Sequence, residues 1–368
     1  MQKVWVLGAG EIGLMMGYLL AKSGRYQVSL LDVKPLSDET EQFLKTIEHI
    51  QFLQLDITQQ KKMHDFLKEY GADALVSALP YFVNIKVAEF AKNNHLHYFD
   101  LTEDVATVKA IECLAQGSEK VFVPQCGLAP GLIDVIAVSL TKHFSELDSI
   151  KLRVGALPEN INNALQYALT WSIDGLINEY GNPCLSIKEG ENKSVLPLED
   201  LEEVKLDGVT YEAFNTSGGT ANLVNAFAGK VRSLNYKTLR YPGHCEKMRF
   251  LMRGLKLNKD RETLRRILVN AMPKTRQDVV LVYVSVTGKQ KGELIEEHYF
   301  KKYYPQEIDG ILWSAIQITT ASQLCCVLDL VLSNTEHYHG LIYQEQFDLK
   351  KLLNNSFGKY LRGQKKDS

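Results

Sequence analysis

Apolar residues fall in two different rhythms along this chain, and the change from one to the other divides it. Up to about residue 130, short continuous apolar runs alternate with stretches in which apolar residues recur every three or four positions. Val4 to Leu7 reads as a buried strand. Ile12, Met15, Met16, Leu19 and Leu20 share one face of the helix after it, which Ser23-Gly24 closes. Strands are expected again at Gln27 to Asp32, Ile50 to Leu55, Ala74 to Leu79, Leu96 to Leu101 and Lys120 to Pro124. Helical patterns run through Met63, Phe66, Leu67 and Tyr70 (with Thr58 as the expected cap), through Val87 and Ala91, and through Val108, Ile111 and Ala115. Strands separated by helices of this length predict βαβ units: an α/β, doubly wound parallel-sheet domain.

A helical pattern from Pro130-Gly131 through Ile133, Ile136, Ala137 and Leu140 carries the chain onward, and from Ser149 the strands crowd together. Ile150 to Val154, Cys184 to Lys188, Glu202 to Leu206 and Val209 to Phe214 come with few helices between them, and Asp207-Gly208 is a tight hairpin signal. Asp278 to Val286 and Gly292 to His298 predict a second hairpin. This texture predicts an inserted α+β domain with a largely antiparallel or mixed sheet over 131–309, with an exposed face suited to dimerisation. The apolar helical stretch Gly310 to Leu332 is expected to return to the first domain. Residues 1–130 are then completed by about 310–368, with a frayed end over Gly363 to Ser368.

Length and charge narrow the class. At 368 residues two domains are the natural reading, and a formal net charge of −2 argues against nucleic acid or an acidic membrane surface as main partner. Six cysteines form no Cys-x-x-Cys pair, which predicts reduced thiols in a cytoplasmic protein rather than a zinc site or disulfide framework. The early strand leaves no room for a signal peptide, and Leu324 to Leu332, interrupted by Asp329, is too short to span a bilayer. His337 and His339 have no further ligand-spaced partners, so no metal is expected.

Candidate chemistry begins in the first turn. Gly8-Ala9-Gly10-Glu11-Ile12-Gly13 forms a Gly-x-Gly-x-x-Gly turn between a strand and a helix. Gly8 permits the tight turn, Gly10 lets a pyrophosphate approach the backbone, and Gly13 allows close packing, while the first helical amides face the phosphates. Asp32 ends the second strand 24 residues after Gly8, close to the spacing at which an acid reaches the adenosine ribose hydroxyls. Its charge repels a 2′-phosphate and favours NAD; Lys34 leaves NADP open. Ligands on such sheets bind beyond the carboxyl ends of the strands. Asp56-Ile57 is therefore an adenine contact, and Ser77-Ala78-Leu79-Pro80, Asp100 to Asp104 and Gln125-Cys126-Gly127 are expected to line one crevice.

Four further stretches resemble the saccharopine dehydrogenase family, and within it most nearly the lysine 6-dehydrogenase branch. They are Cys126-Gly127-Leu128-Ala129-Pro130-Gly131; Tyr167-Ala168-Leu169-Thr170-Trp171-Ser172 with Gly175 and Glu179-Tyr180; Glu212-Ala213-Phe214-Asn215-Thr216-Ser217-Gly218-Gly219; and Leu239-Arg240-Tyr241-Pro242-Gly243-His244. The resemblance implies a Rossmann domain, an inserted α+β domain, a homo-oligomer, and NAD(P)-dependent chemistry at the carbon–nitrogen bond of a lysine-derived amine. That chemistry is oxidative deamination of the lysine side chain, or the making and breaking of a secondary amine as in saccharopine and carboxylated polyamines. A more remote reading is a non-catalytic dinucleotide-binding module. The resemblance also implies that Cys126, Gly127, Tyr167, Trp171, Thr216, Ser217 and Arg240 surround the substrate. Gln166-Tyr167-Ala168 departs from the Gly-Tyr-Lys such proteins often carry, which changes the pocket expected for the amine.

Such a substrate sets further demands. Arg240 is the candidate to grip a carboxylate through two parallel bonds, unless a structural acid already holds it. The amine must lose a proton before oxidation, and His244, Asp104 and Glu103 are candidate bases among which the sequence does not choose. His244 equally suits the start of a helix through Met248 and Leu251. Tyr241 joins the catalytic candidates, and with Trp171 it can wall an alkyl chain or simply belong to the core. Cys126 reads as a small packing residue beside the nicotinamide, because no histidine pairs with it to make a nucleophile.

Overall fold

Residues 1–363 are described by a computed structural model. The expected frayed end, from Gln364 onward, lies outside the described residues. The first unit comprises Met1–Gly127 and Thr319–Arg362, the second Leu128–Ile318.

In the first unit β1 (Gln2–Leu7), α1 (Glu11–Lys22), β2 (Tyr26–Asp32), α2 (Asp38–Lys45), β3 (Ile50–Gln54), α3 (Gln60–Tyr70), β4 (Ala74–Ser77), α4 (Tyr81–Asn93), β5 (His97–Asp100), α5 (Val105–Ala115) and β6 (Phe122–Val123) alternate strictly. The strands form one parallel sheet in the order β3-β2-β1-β4-β5-β6. This is the Rossmann order, reversing direction beside β1. Val4 to Leu7 and Ala74 to Ser77 are wholly buried, as strands covered on both faces must be, which is why they read as unbroken apolar runs.

Two local expectations need correction. Thr58 does not cap α3: its hydroxyl turns back to Asp56 Oδ1 at 2.7 Å, and the helix starts at Gln60 without a side-chain cap. Helix α2 is not apparent from the apolar pattern, because only Leu44 of its eight residues is buried; Ser37 caps it by accepting from the Thr40 N–H.

The second unit contains α6 (Leu132–Thr141), β7 (Glu146–Pro158), α7 (Ile173–Gly181), β8 (Cys184–Lys188), β9 (Glu191–Val195), β10 (Glu202–Leu206), β11 (Val209–Asn215), α8 (Leu223–Phe227), β12 (Val231–Arg240), α9 (His244–Arg249), α10 (Arg261–Ala271), β13 (Asp278–Gln290), β14 (Glu293–Tyr303), β15 (Gln306–Ile308) and β16 (Ile311–Trp313). Its main sheet runs β10-β11-β12-β7-β13-β14, with β8 joining β12 to β9. Only the central β7–β12 pair is parallel; every other pairing is antiparallel. Four hairpins turn on a residue followed by glycine with both φ angles positive: Glu189-Gly190, Asp207-Gly208, Lys291-Gly292 and Asp309-Gly310. That geometry matches the twist of the strands it joins. Ile311 to Trp313, expected as the start of a helix, is a strand instead.

Back in the first unit, α11 (Ala315–Leu332) and α12 (Leu349–Asn354) complete the described elements of the α/β core. Tyr26 donates to Asp329 at 2.5 Å, Arg25 pairs with the same carboxylate at 2.6 Å, and Asn355 donates to its other oxygen at 2.6 Å. Helix α11 is long and apolar enough to cross a bilayer, unlike the shorter run seen in the sequence, but 89% of it is buried inside the protein.

Gly13 sets the tightest local constraint. A Cβ there would stand 1.8 Å from the Gly8 carbonyl oxygen. Gly13→Ala is therefore expected to cost about 3 kcal/mol or more, because backbone must move to admit the methyl group, and urea unfolding would measure it.

Candidate functional site

The glycine turn is built around two different needs. Gly8 has φ +103°, donates to the Leu31 carbonyl at 2.7 Å, and leaves no room for a side chain above the Ala78 carbonyl. A Cβ added to Gly10 would meet nothing within 4 Å. Packing thus demands the outer glycines, whereas the middle one opens onto free space, as a cradle for a pyrophosphate requires. Gly10 begins α1 in extended conformation without a side-chain cap, leaving the amides of Glu11, Ile12 and Gly13 at a positive helix end. Asp32 closes the turn from the side: its Oδ2 accepts from the Ala9 N–H at 2.8 Å and its Oδ1 from the Lys34 N–H at 2.9 Å. These residues fit an NAD(P) dinucleotide.

Farther along the sheet several residues expected at the cofactor make defined contacts within the protein. Asp56 accepts from the Thr58 N–H and hydroxyl, which hold its carboxyl below the usual range, and Ile57 and Leu79 pack on the apolar core. Ala78 continues β4 by donating to Leu7 O at 2.8 Å, and Pro80 opens α4.

Asp100, expected at the cofactor, is completely buried. Its Oδ1 accepts the N–H groups of Thr102 (3.0 Å) and Gln125 (2.9 Å), and its Oδ2 accepts from Tyr98 Oη (2.7 Å) and Asn84 Nδ2 (3.5 Å). It is a clamp joining the loops after β5 and β6, and burial without a cation raises its carboxyl to about 6.

Asp104, a candidate base, caps α5 by accepting from the Thr107 N–H and hydroxyl, both at 2.8 Å. Cys126 is sealed from solvent, donates to Val123 O at 3.1 Å and receives Gln344 Nε2 at 3.4 Å, with burial pushing its thiol well up.

In the second unit, residues from two distant stretches of sequence converge. The Arg240 guanidinium lies 4.6 Å from the centre of the Tyr167 ring, and its Nε donates to Tyr180 Oη at 2.8 Å. Its Nη1 donates to Thr238 Oγ1 and Leu239 O, and its Nη2 pairs with Glu179 at 3.7 Å. The expected grip on a substrate carboxylate meets a guanidinium already held by a protein acid and buried to 2% exposure.

Both ring nitrogens of His244 are also taken. Its Nδ1 faces the Leu165 carbonyl at 2.7 Å, which can only accept, so Nδ1 carries the hydrogen. Its Nε2, 3.0 Å from Tyr180 Oη, must then accept. The bonds run in one direction, from Arg240 through Tyr180 and His244 to Leu165. Burial, reinforced by the Arg240 charge, lowers the imidazole to about 3. The ring expected from the sequence to accept a proton is here neutral, with both nitrogens bonded within the protein.

The remaining candidates frame this cluster. Trp171 Nε1 donates to Tyr167 Oη at 3.1 Å, Tyr241 donates to Pro158 O at 2.9 Å, and both rings are only half-buried against the core. Ser217 is buried, donating its N–H to Glu179 O and its hydroxyl to Pro183 O; Thr216 is buried beside it in sequence, its hydroxyl without a partner. Glu212 accepts from the N–H groups of Gly243 and Cys245, securing the start of α9. Gln166 takes φ +55°, in the left-handed region that glycine favours, at the position where similar proteins often have glycine. Sequence reasoning misses Glu179 and Tyr180 as members of the cluster. The signal for them is their place in the same resembling stretch as Tyr167.

The parallel strand order, the open middle glycine and the acid beside it define a dinucleotide-binding oxidoreductase domain. Residues 4–121 match the family description "Saccharopine dehydrogenase NADP binding domain", and residues 127–365 match "Saccharopine dehydrogenase C-terminal domain". The chain belongs to the saccharopine dehydrogenase family, whose members are NAD(P)-dependent dehydrogenases of amino-acid-derived substrates. It is 22% identical over 321 residues to the mitochondrial alpha-aminoadipic semialdehyde synthase of Rattus norvegicus, covering 82% of this chain and 33% of that protein. The same synthase from Mus musculus is 22% identical over 318 residues. The chain therefore spans about a third of the length of the curated relatives it matches.

Among solved structures, it is similar to the saccharopine dehydrogenase (L-Glu forming) of Saccharomyces cerevisiae, with TM-score 0.79, 16% identity and 98% of each chain covered. It is also similar to the homospermidine synthase of Legionella pneumophila, with TM-score 0.65, 13% identity, and 99% of this chain and 90% of that one covered. These two likenesses show the fold. The matches establish the family without singling out its lysine 6-dehydrogenase branch.

Two outcomes are expected here. Gly10→Ala should leave stability within about 1 kcal/mol yet weaken dinucleotide binding in a calorimetric titration. Because His244 falls from 6.5 to about 3 on folding, the unfolded chain binds the extra proton between those values. Stability should then fall as pH drops through that window, by up to about 1.4 kcal/mol per pH unit from this one group. His244→Gln should show a shallower acid limb in urea unfolding.

Proposed function

We propose that this protein is an amine dehydrogenase of the lysine 6-dehydrogenase type, oxidising the side-chain amine of lysine with NAD as the preferred acceptor. The observation that carries the reading is the convergence of Tyr167, Tyr180, Arg240 and His244 on one buried cluster. They come from two of the sequence stretches that resemble that branch, with Phe214 of a third packed against Tyr180 and His244. The half-buried rings of Trp171 and Tyr241 offer apolar surface suited to a methylene chain. The Asp32 carboxylate, beside the glycine turn, favours ribose hydroxyls over a 2′-phosphate.

When bound, the nicotinamide supplies the hydride acceptor. The chain's own residues bind the dinucleotide through Asp32 and the α1 amides, orient the amine and exclude water. The amine is converted to an iminium ion, which water opens to an aldehyde and ammonia; with lysine, the aldehyde closes on the α-amine to a cyclic imine.

A homodimer through the sheet of the second unit goes with this reading, supported by a polar face on β7, β13 and β14 where Lys151 and His298 are exposed and Tyr283 stacks on His298. Its free, mostly buried thiols suit a reducing, cytoplasmic setting.

Steady-state NADH formation with lysine tests the proposal. Turnover with lysine, and a larger thermal shift with NAD than with NADP, is the expected result. Activity confined to saccharopine or to carboxylated polyamines would move the chain to the secondary-amine branch. Dinucleotide binding without turnover of any of these amines would overturn the assignment.

A further inference from the structure

The loops after β5 and β6 are tied together at one residue. Asp100 Oδ1 accepts the N–H groups of Thr102 at 3.0 Å and Gln125 at 2.9 Å, and the Asp100 carbonyl accepts from the Cys126 N–H at 2.8 Å. A single carboxylate oxygen thus sets Thr102 and Gln125 side by side. What this clamp holds in place is polar and unused. Thr102 is 2% exposed, and its buried hydroxyl has no partner. Gln125 is 5% exposed, and its side-chain amide makes no hydrogen bond among the described residues. Its backbone takes φ +64°, a left-handed conformation that a residue with a β-carbon adopts at a cost.

A protein ordinarily pairs its buried polar groups, and an unpaired one weakens the fold. Here two are kept, on adjoining loops at the carboxyl ends of a parallel sheet. The strand order gives them a use. In β3-β2-β1-β4-β5-β6, Asp32 ends β2 on one side of the glycine turn, and these loops follow β5 and β6 on the other. A dinucleotide crosses such a sheet at the switch point, with one nucleotide over each half. With the adenosine ribose at Asp32, the nicotinamide half falls to β4, β5 and β6.

We propose that Thr102 and Gln125 hold the carboxamide of the nicotinamide ring. A carboxamide brings one carbonyl acceptor and an NH2 group with two hydrogens, and a hydroxyl beside a primary amide can satisfy both ends. Holding that group fixes the rotation of the ring, and with it the face offered for hydride transfer. Both residues lie in the first unit, with Asp32 and the glycine turn. The inference rests on the NAD(P) binding read from that turn and is independent of which amine is oxidised.

Calorimetric titration with NAD and with ADP-ribose, which keeps both phosphates and both riboses but lacks the ring, separates the two claims. ADP-ribose binding to the wild-type protein tests the dinucleotide reading; its absence would overturn that reading and this inference with it. Thr102→Val and Gln125→Met should each lose about fivefold in NAD affinity and leave ADP-ribose affinity unchanged. Thr102→Ser, which keeps the hydroxyl, should bind NAD as the wild type does. Stability supplies a second readout. Because Thr102→Val removes a buried, unpaired hydroxyl, the unliganded variant should melt at or above the wild-type temperature, which a hydroxyl serving only the fold does not predict. Variants that bind NAD like the wild type, or that lose NAD and ADP-ribose equally, would overturn the proposal.

Discussion

The Gly8 carbonyl occupies the space that a side chain at position 13 would need, and the first unit is arranged around that encounter. Because the carbonyl and the first turn of α1 lie so close, the helix can begin immediately above β1, with no side-chain cap from Gly10. Asp32 then completes the turn from the neighbouring strand by accepting the Ala9 N–H. The carboxylate thereby does two things: it holds the loop in shape and sits where a ribose would be met. Two glycines are steric necessities of the fold, and only Gly10 is left free to face a ligand.

The second unit solves a different problem, that of an arginine almost without water. A buried guanidinium is costly unless its donors are matched. Arg240 meets two carbonyl or hydroxyl acceptors, one phenol, one carboxylate and an aromatic face. The phenol passes its hydrogen to His244; burial keeps that ring neutral, and the Arg240 charge one residue removed reinforces it. This chain of bonds accounts for a histidine that looks catalytic in the sequence and is a structural acceptor in the fold.

Much of the first sheet is legible in the sequence, since strands buried on both faces announce themselves as apolar runs, and the glycines and Asp32 sit at a telling spacing. The central strand β12 is not. Lys237 and Arg240 interrupt its pattern with charges, and only its partners show that they are inside: Lys237 bonds Glu202 at 3.0 Å and Arg240 faces Glu179. Helix α10 is equally hard to see, because just Leu264 and Leu268 of its residues are buried. Of the candidate site, most members can be named from the sequence but their roles cannot. Whether Asp100 binds a cofactor or two backbone amides, and which nitrogen of His244 holds a hydrogen, depends on atoms far away in sequence.

The closing segment of the first unit has a bearing on how the molecule is made. Tyr26 and Arg25 meet Asp329, and Phe122 pairs with Leu341, so the sheet that begins with β1 waits for residues synthesised after the entire second unit. On the ribosome the glycine turn emerges before the second unit, and the contacts that complete its own unit come after it. The intervening unit contains its own hairpins and its central β7–β12 pairing. The dinucleotide cradle is thus translated before the segment that completes its own unit.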